Sequence, residues 1–159
     1  MGSQSNSDKA YIAGFLDGDG SIMLQIKNRN DTKRSFRFMA TICLYQDSRH
    51  DTTFIWVRSV LGVGYLSKRK DGMSELRING YTRVKSILLM LLPFIRFKRK
   101  QAQAMIKACS ILETIPLKKM KRSHLKRLVE LVLFIQNQNY STKRKRKKVE
   151  FYQQLGLTP

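Results

Sequence analysis

Apolar residues recur at helical spacing near the start of the chain and then at every second position. Ala10, Ile12, Ala13, Phe15 and Leu16 predict a helix over 9–18, with Ser7 or Asp8 as its cap and glycines at its end. From Ser21 the period falls to two. Ile22, Leu24 and Ile26 alternate with Met23, Gln25, Lys27 and Arg29, which predicts a strand with one apolar and one polar face. A polar loop over 28–35 leads to a second strand over 36–45. There Phe36, Phe38, Ala40, Ile42 and Leu44 alternate with Arg37, Met39, Thr41, Cys43 and Tyr45, so the two strands read as a hairpin.

The next helix starts at Ser48 or Asp51, carries Phe54, Ile55, Val57, Val60 and Leu61, and stops at Gly62. Strands over 64–69 and 74–79 flank Lys70-Asp71-Gly72, whose Asp-Gly pair marks a turn, giving a second hairpin. Helices follow over 82–92, 98–114, 123–137 and 149–155, and no internal repeat is visible. The predicted class is α+β in the order αββαββα, with one antiparallel sheet covered by helices on a single face. Residues 1–8 read as a polar N-terminal extension with the look of an expression remnant. Residues 9–159 read as one domain with a basic C-terminal segment.

The open face of that sheet would carry Gln25, Lys27, Arg29, Arg37, Thr41, Tyr45, Arg69 and Arg77, with Glu75 as its acid. Amide, guanidinium, hydroxyl and aromatic groups in that mixture match phosphates and base edges in a DNA groove. A solvated sheet face is also polar, and charge separates the two readings. The chain has 159 residues, and 31 Lys and Arg against 11 Asp and Glu leave a net charge of +20. Self-repulsion on that scale points to a polyanionic partner, nucleic acid before a membrane surface.

Other classes fall away. No helix opposes a strongly basic face to a large apolar one, and the longest apolar run, 87–95, contains Pro93 and is about half the length of a bilayer span. Cys43 and Cys109 are the two cysteines, too few for a disulfide framework or a zinc site, and His50 and His124 are the two histidines. The chain opens without an export signal, so the expected setting is intracellular, an organelle (chloroplast or mitochondrion) or a prokaryotic cytoplasm.

The most unusual stretch is Ile12-Ala13-Gly14-Phe15-Leu16-Asp17-Gly18-Asp19-Gly20. Each glycine inside a helix costs about 1 kcal/mol against alanine, so the small surface suits close approach of another backbone. Asp17 and Asp19 sit at the negative end of the helix dipole, which disfavours anions unless a cation lies nearby. A plain Asp-Gly turn between helix and strand would contain the same residue types.

This nonapeptide resembles the LAGLIDADG motif of homing endonucleases, with Ile12 in place of its leucine. The resemblance continues through Tyr45-Gln46 at the end of the second strand, Gly62-Val63-Gly64-Tyr65, and Pro93-Phe94 ahead of Lys98-Arg99-Lys100-Gln101, covering roughly 10–107. One copy of the motif resembles the single-motif branch, which implies a homodimer with Ala13, Gly14 and Asp17 at its interface. It also implies an intron-encoded, site-specific endonuclease that hydrolyses both strands of a long, nearly palindromic DNA target.

The resemblance further implies Mg²⁺ or a similar divalent cation held by Asp19 and the Gly18 carbonyl. It gives Gln46 a role in orienting water and Lys98 a role in stabilising charge, while Asp17 is expected to be a hydrogen-bond partner at the helix end. Related enzymes place an arginine after the glutamine, where this chain has Arg49 and His50. In the basic run 143–148, Lys143 and Lys145 are expected to press on the DNA backbone; a nuclear-import signal or a free tail has the same composition. The alternative function is a non-cutting nucleic-acid-binding protein of the same fold, an intron maturase or a DNA-binding regulator.

Overall fold

The computed structural model describes residues 5–31, 35–139 and 144–157. Ser5, rather than Ser7 or Asp8, caps the first helix: its hydroxyl accepts the Asp8 N–H at 3.0 Å. Helix α1 therefore covers Asn6–Asp19, and part of the predicted extension belongs to the domain. The chain passes directly into β1 (Gly20–Asn28). A Cβ on Gly20 would lie 2.7 Å from Leu16 Cδ1 and 2.8 Å from Leu16 Cα, so only glycine permits this abrupt change from helix to strand.

Strand β2 (Phe36–Asp47) runs two residues beyond its apolar pattern, because Gln46 and Asp47 still pair with Ser74 and Met73. A short 3-10 turn, Ser48–His50, precedes α2 (Asp51–Leu61). Gly62 ends that helix at φ +69°, the left-handed conformation that glycine adopts without strain. Then come β3 (Tyr65–Lys68), β4 (Met73–Asn79), α3 (Tyr81–Leu91) and α4 (Arg99–Thr114). A 3-10 turn at Leu117–Lys119 leads to α5 (Arg122–Gln138) and α6 (Lys148–Leu155). The first seven principal elements follow the predicted αββαββα order.

All strand pairs are antiparallel, in the order β1-β2-β4-β3. Ile22, Leu24, Ile26, Phe38, Ile42, Leu44, Leu76 and Ile78 form the covered face and share one core with Leu16, Leu88, Met105 and Leu128. Helices α1, α3, α4 and α5 pack on that side of the sheet. Burying one such aliphatic side chain stabilises the fold by about 1.5–3 kcal/mol, which holds the sheet rigid behind its open face. Among the described residues no helix is long and apolar enough to cross a membrane.

Candidate functional site

The end of α1 meets the start of α4 in a reciprocal clasp. Asp17 Oδ2 accepts the N–H groups of Arg96 at 2.6 Å and Phe97 at 3.2 Å, and Oδ1 accepts that of Lys98 at 2.9 Å. In return Lys98 Nζ donates to the Asp17 carbonyl at 2.5 Å. Helix α4 opens on Arg99 and Lys100, cations at the positive end of a dipole, and the side chain of its cap residue Lys98 accepts none of the helix's own N–H groups. Asp17 supplies the missing anion from another element. Lys98 is only 7% exposed, and burial pushes its ammonium below the usual lysine value against the pull of Asp17 and Asp19.

The expected interface trio divides. Ala13 is 0% exposed inside the core of its own chain, and the Asp17 carboxylate is occupied by the 96–98 segment, so neither presents a free surface to a second copy. Gly14 lies open. A Cβ added at Gly14 or Gly18 would meet nothing within 4 Å, and both share the exposed stripe of α1 with Tyr11. Phe97, 88% exposed, stands beside that stripe next to Lys98.

Asp19 is exposed at the end of the stripe. Among the described residues no three His, Cys, Asp or Glu side chains converge on a metal position. One chain therefore offers Asp19 and the neighbouring Gly18 carbonyl, a hard-oxygen pair of the kind that Mg²⁺ and Ca²⁺ take, and further ligands would have to come from elsewhere. A recess of about 450 Å³ opens beside it, lined by Asp17, Gly18, Lys98, Gln101 and Asn139. Asn139 ties this corner together: it accepts from Gln101 Nε2 at 2.9 Å and donates to the Ile22 carbonyl at 3.3 Å. Neither role had a local signal in the sequence.

Gln46 follows Leu44, the partner of Gly20, by two positions, so the register carries it alongside the end of the motif. Its Oε1 accepts the Asp47 N–H at 2.9 Å. The side chain lines a second recess, about 260 Å³, with Tyr11, Phe15, His50 and Phe54. Arg49 is held away by Asp47 through contacts of 3.0 and 2.9 Å, which pull the Asp47 carboxyl down to about 2. Of the two residues left open by the sequence, His50 is the one that shares a recess with Gln46.

On the open sheet face, Gln25, Lys27, Arg37, Tyr45 and Arg77 stand where alternation placed them. Lys27 lies directly opposite Arg37, a like-charge pair that weakens a sheet unless an anion sits between them. Thr41 is different. It is 0% exposed and donates to Asn79 Oδ1 at 2.7 Å, because the middle of the central strand β2 is shielded by its neighbours on both sides. Arg29 and Arg69 lie one residue beyond β1 and β3, where alternation no longer governs direction. Arg29 forms a double contact with Asp31, at 2.8 and 2.6 Å, and Arg69 pairs with Asp71 at 2.9 Å while lying 6.0 Å from the Tyr45 ring centre.

One exposed-face residue escaped the sequence reading: Tyr65 is cross-strand from Arg77 and largely exposed. Glu75, the acid that the sequence placed on this face, is bound to Arg77. The basic run is not uniform either. Arg146 lies 4.4 Å above the Phe151 ring and donates to Gln154 Oε1 at 2.8 Å, so it fastens α6, whereas exposed Lys145 donates to the Asn137 carbonyl at 3.2 Å. Lys143 falls outside the described residues.

The family model described as "LAGLIDADG endonuclease" matches residues 12–112. The DNA endonuclease I-CvuI of Chlorella vulgaris is 34% identical over 97 residues, 61% of this chain and 60% of that protein. The DNA endonuclease I-CreI of Chlamydomonas reinhardtii is 32% identical over 106 residues, 67% of this chain and 63% of that protein. In both, the matched stretch spans less than two thirds of the relative's length. The crystal structure of I-CvuI with its target in the presence of calcium superposes with a TM-score of 0.83 at 27% identity, covering 98% of this chain and 100% of that one.

Proposed function

Since the chain belongs to the LAGLIDADG endonuclease family, we propose that it is a site-specific DNA endonuclease that cuts both strands of a long, nearly palindromic duplex as a homodimer. The observation that carries this reading is the exposed Asp19 at the end of a glycine-faced helix, beside buried Lys98 and below a sheet face crowded with cations. A single chain offers one free carboxylate there. Packing two copies along the Gly14 and Gly18 stripe would bring two such carboxylates together, and the two-fold symmetry of the pair would match a near-palindrome.

Asp19 and the Gly18 carbonyl are suited to a divalent cation, and Mg²⁺ is the proposed one. Calcium accompanied the I-CvuI complex. When bound, such a cation lowers the pKa of water and offsets charge gathering on the scissile phosphate. The remaining work falls to side chains of this chain. Lys98 is held by the Asp17 carbonyl at the helix end, so its charge is fixed in a low-dielectric corner, where it opposes phosphate charge more strongly than it would in water. Gln46 offers an amide to orient the attacking water. Gln25, Arg37 and Arg77 present planar groups that can pair with two atoms of one base, and Lys145 adds phosphate contact without sequence information.

The test is cleavage of a duplex selected from a randomised library. Wild type with Mg²⁺ should cut both strands, and Asp19→Asn should bind the same duplex without cutting it. Sedimentation should give twice the chain mass. Undiminished cutting in excess EDTA or by Asp19→Asn would defeat the assignment, and a fully active monomer would defeat the dimer.

A further inference from the structure

Glu75 is an anomaly on a surface proposed to meet DNA. Its side chain is 15% exposed, and it lies on the open face of β4 two residues from Arg77, so both point the same way. A carboxylate there repels phosphate, yet it receives donors from three strands. Arg77 Nη2 lies 3.1 Å from Oε1 and 3.2 Å from Oε2. Ser67 of β3 donates to Oε1 at 3.4 Å, and the buried Cys43 thiol of β2 points at Oε2 from 3.8 Å. Burial pushes the Cys43 thiol up, which keeps it a neutral donor toward the carboxylate. The register explains the convergence, because Tyr45, Glu75 and Ser67 form one row across the sheet and Cys43, Arg77 and Tyr65 form the next.

The contact with Arg77 uses one guanidinium nitrogen. Among the described residues Nε and Nη1 donate no hydrogen bond, and the side chain is one third exposed. An unrestrained arginine samples many rotamers and reaches phosphates as easily as bases. A tethered one offers a defined edge. Both double-donor edges of a guanidinium include Nη2, which carries two protons; with one directed at Glu75, the other completes an edge with an unused nitrogen, the complement of O6 and N7 of guanine.

We infer that Glu75 is a positioning residue that holds Arg77 so that its free guanidinium edge selects guanine at one position in each half-site. This rests on the proposed DNA reading and adds the part of specificity that a basic surface alone cannot supply. Glu75 touches no base in this scheme; it acts through Arg77. The carboxylate lowers general affinity for polyanions and sharpens the choice of one base.

The experiment selects bound duplexes from a library randomised across the target, for wild type, Glu75→Gln, Arg77→Lys and Glu75→Gln/Arg77→Lys. Glu75→Gln keeps size and removes charge. It should bind duplexes of arbitrary sequence at least as tightly as wild type while losing about tenfold of its guanine preference at one position per half-site. Arg77→Lys should lose the same preference at the same position, since an ammonium has no planar fork. In the double variant the Glu75 change should add nothing to that loss. Selection by Glu75→Gln indistinguishable from wild type overturns the inference. So does a loss spread over all positions together with a lowered melting temperature, the mark of a merely structural carboxylate. A wild type that selects no sequence overturns the parent reading, and the inference with it.

Discussion

Replacing Asp17 by Asn tests whether the clasp between α1 and α4 is what fixes Lys98. The amide oxygen can still accept the Lys98 N–H, the 2.9 Å bond now made to Oδ1. At the Oδ2 position it places an NH₂ group against the N–H groups of Arg96 and Phe97, so two donors face a third. A lost helix cap costs about 0.5–2 kcal/mol, and a donor left unsatisfied in a buried setting costs about 1–3 kcal/mol. Asp17 is nearly buried, so a total near 3 kcal/mol is reasonable, allowing for partial rearrangement. In a domain of this length each kcal/mol moves the melting temperature by about 2–4 °C, giving an expected fall of about 6–12 °C by circular dichroism. Cleavage should fall further than stability explains, because the freed 96–98 segment carries Lys98 with it. A melting temperature within about 2 °C of wild type would refute the capping argument, since a fall that small leaves less than one hydrogen bond to account for.

Other expectations follow from particular positions. Gly14→Ala should raise the stability of the single chain by about 1 kcal/mol, because its Cβ enters open space, while weakening the dimer; stabilisation with dimerisation intact would remove Gly14 from the interface. Gly20→Ala, whose Cβ would meet Leu16 Cα and Leu44, should instead cost about 1–3 kcal/mol in denaturant melts. Burial pushes the Cys109 thiol up to about 12, so the folded chain keeps a proton that the unfolded chain releases near pH 9. Stability linked to this group is therefore complete below pH 9 and declines as pH rises toward 12, and a thiol reagent at pH 8 should label Cys109 only after unfolding. Arg146→Ala should loosen α6 toward proteolysis, whereas Lys145→Ala should leave the fold intact and flatten the salt dependence of DNA binding; the reverse pattern would mean their places are misassigned.

The sheet was legible because alternation in the strands is strict, and a one-residue slip would turn every apolar side chain to water. Alternation reports which way a side chain points and says nothing of how deep it lies. Thr41 shows the difference: its direction was read correctly, but its neighbours on β1 and β4 bury it. Arg29 and Arg69 show the limit of the same signal, since one residue past a strand end the backbone is free to turn. Asp17 was legible as a hydrogen-bond partner but not as the cap of a helix that begins 82 residues later at Arg99. Nothing local to either segment announces such a contact, because α4 opens on two cations with no cap of its own and the compensating anion belongs to another element.

The features that lower the stability of a lone chain are the ones that point outward. Gly14 and Gly18 weaken α1 without relieving any contact inside the chain, since no atom lies within reach of a Cβ at either. Phe97 leaves a whole aromatic ring in water, where a buried one would stabilise the fold. Lys27 opposite Arg37 repels across the strands, and the net charge of +20 repels throughout. Two kinds of partner would relieve these costs. A flat backbone surface matches the glycine stripe and the ring of Phe97, which a second copy of the chain could provide with its own glycine stripe. A polyanion matches the sheet face. The glycine stripe ends at Asp19, so the two proposed partners would meet at this exposed carboxylate, which with the Gly18 carbonyl would hold a divalent cation able to offset phosphate charge.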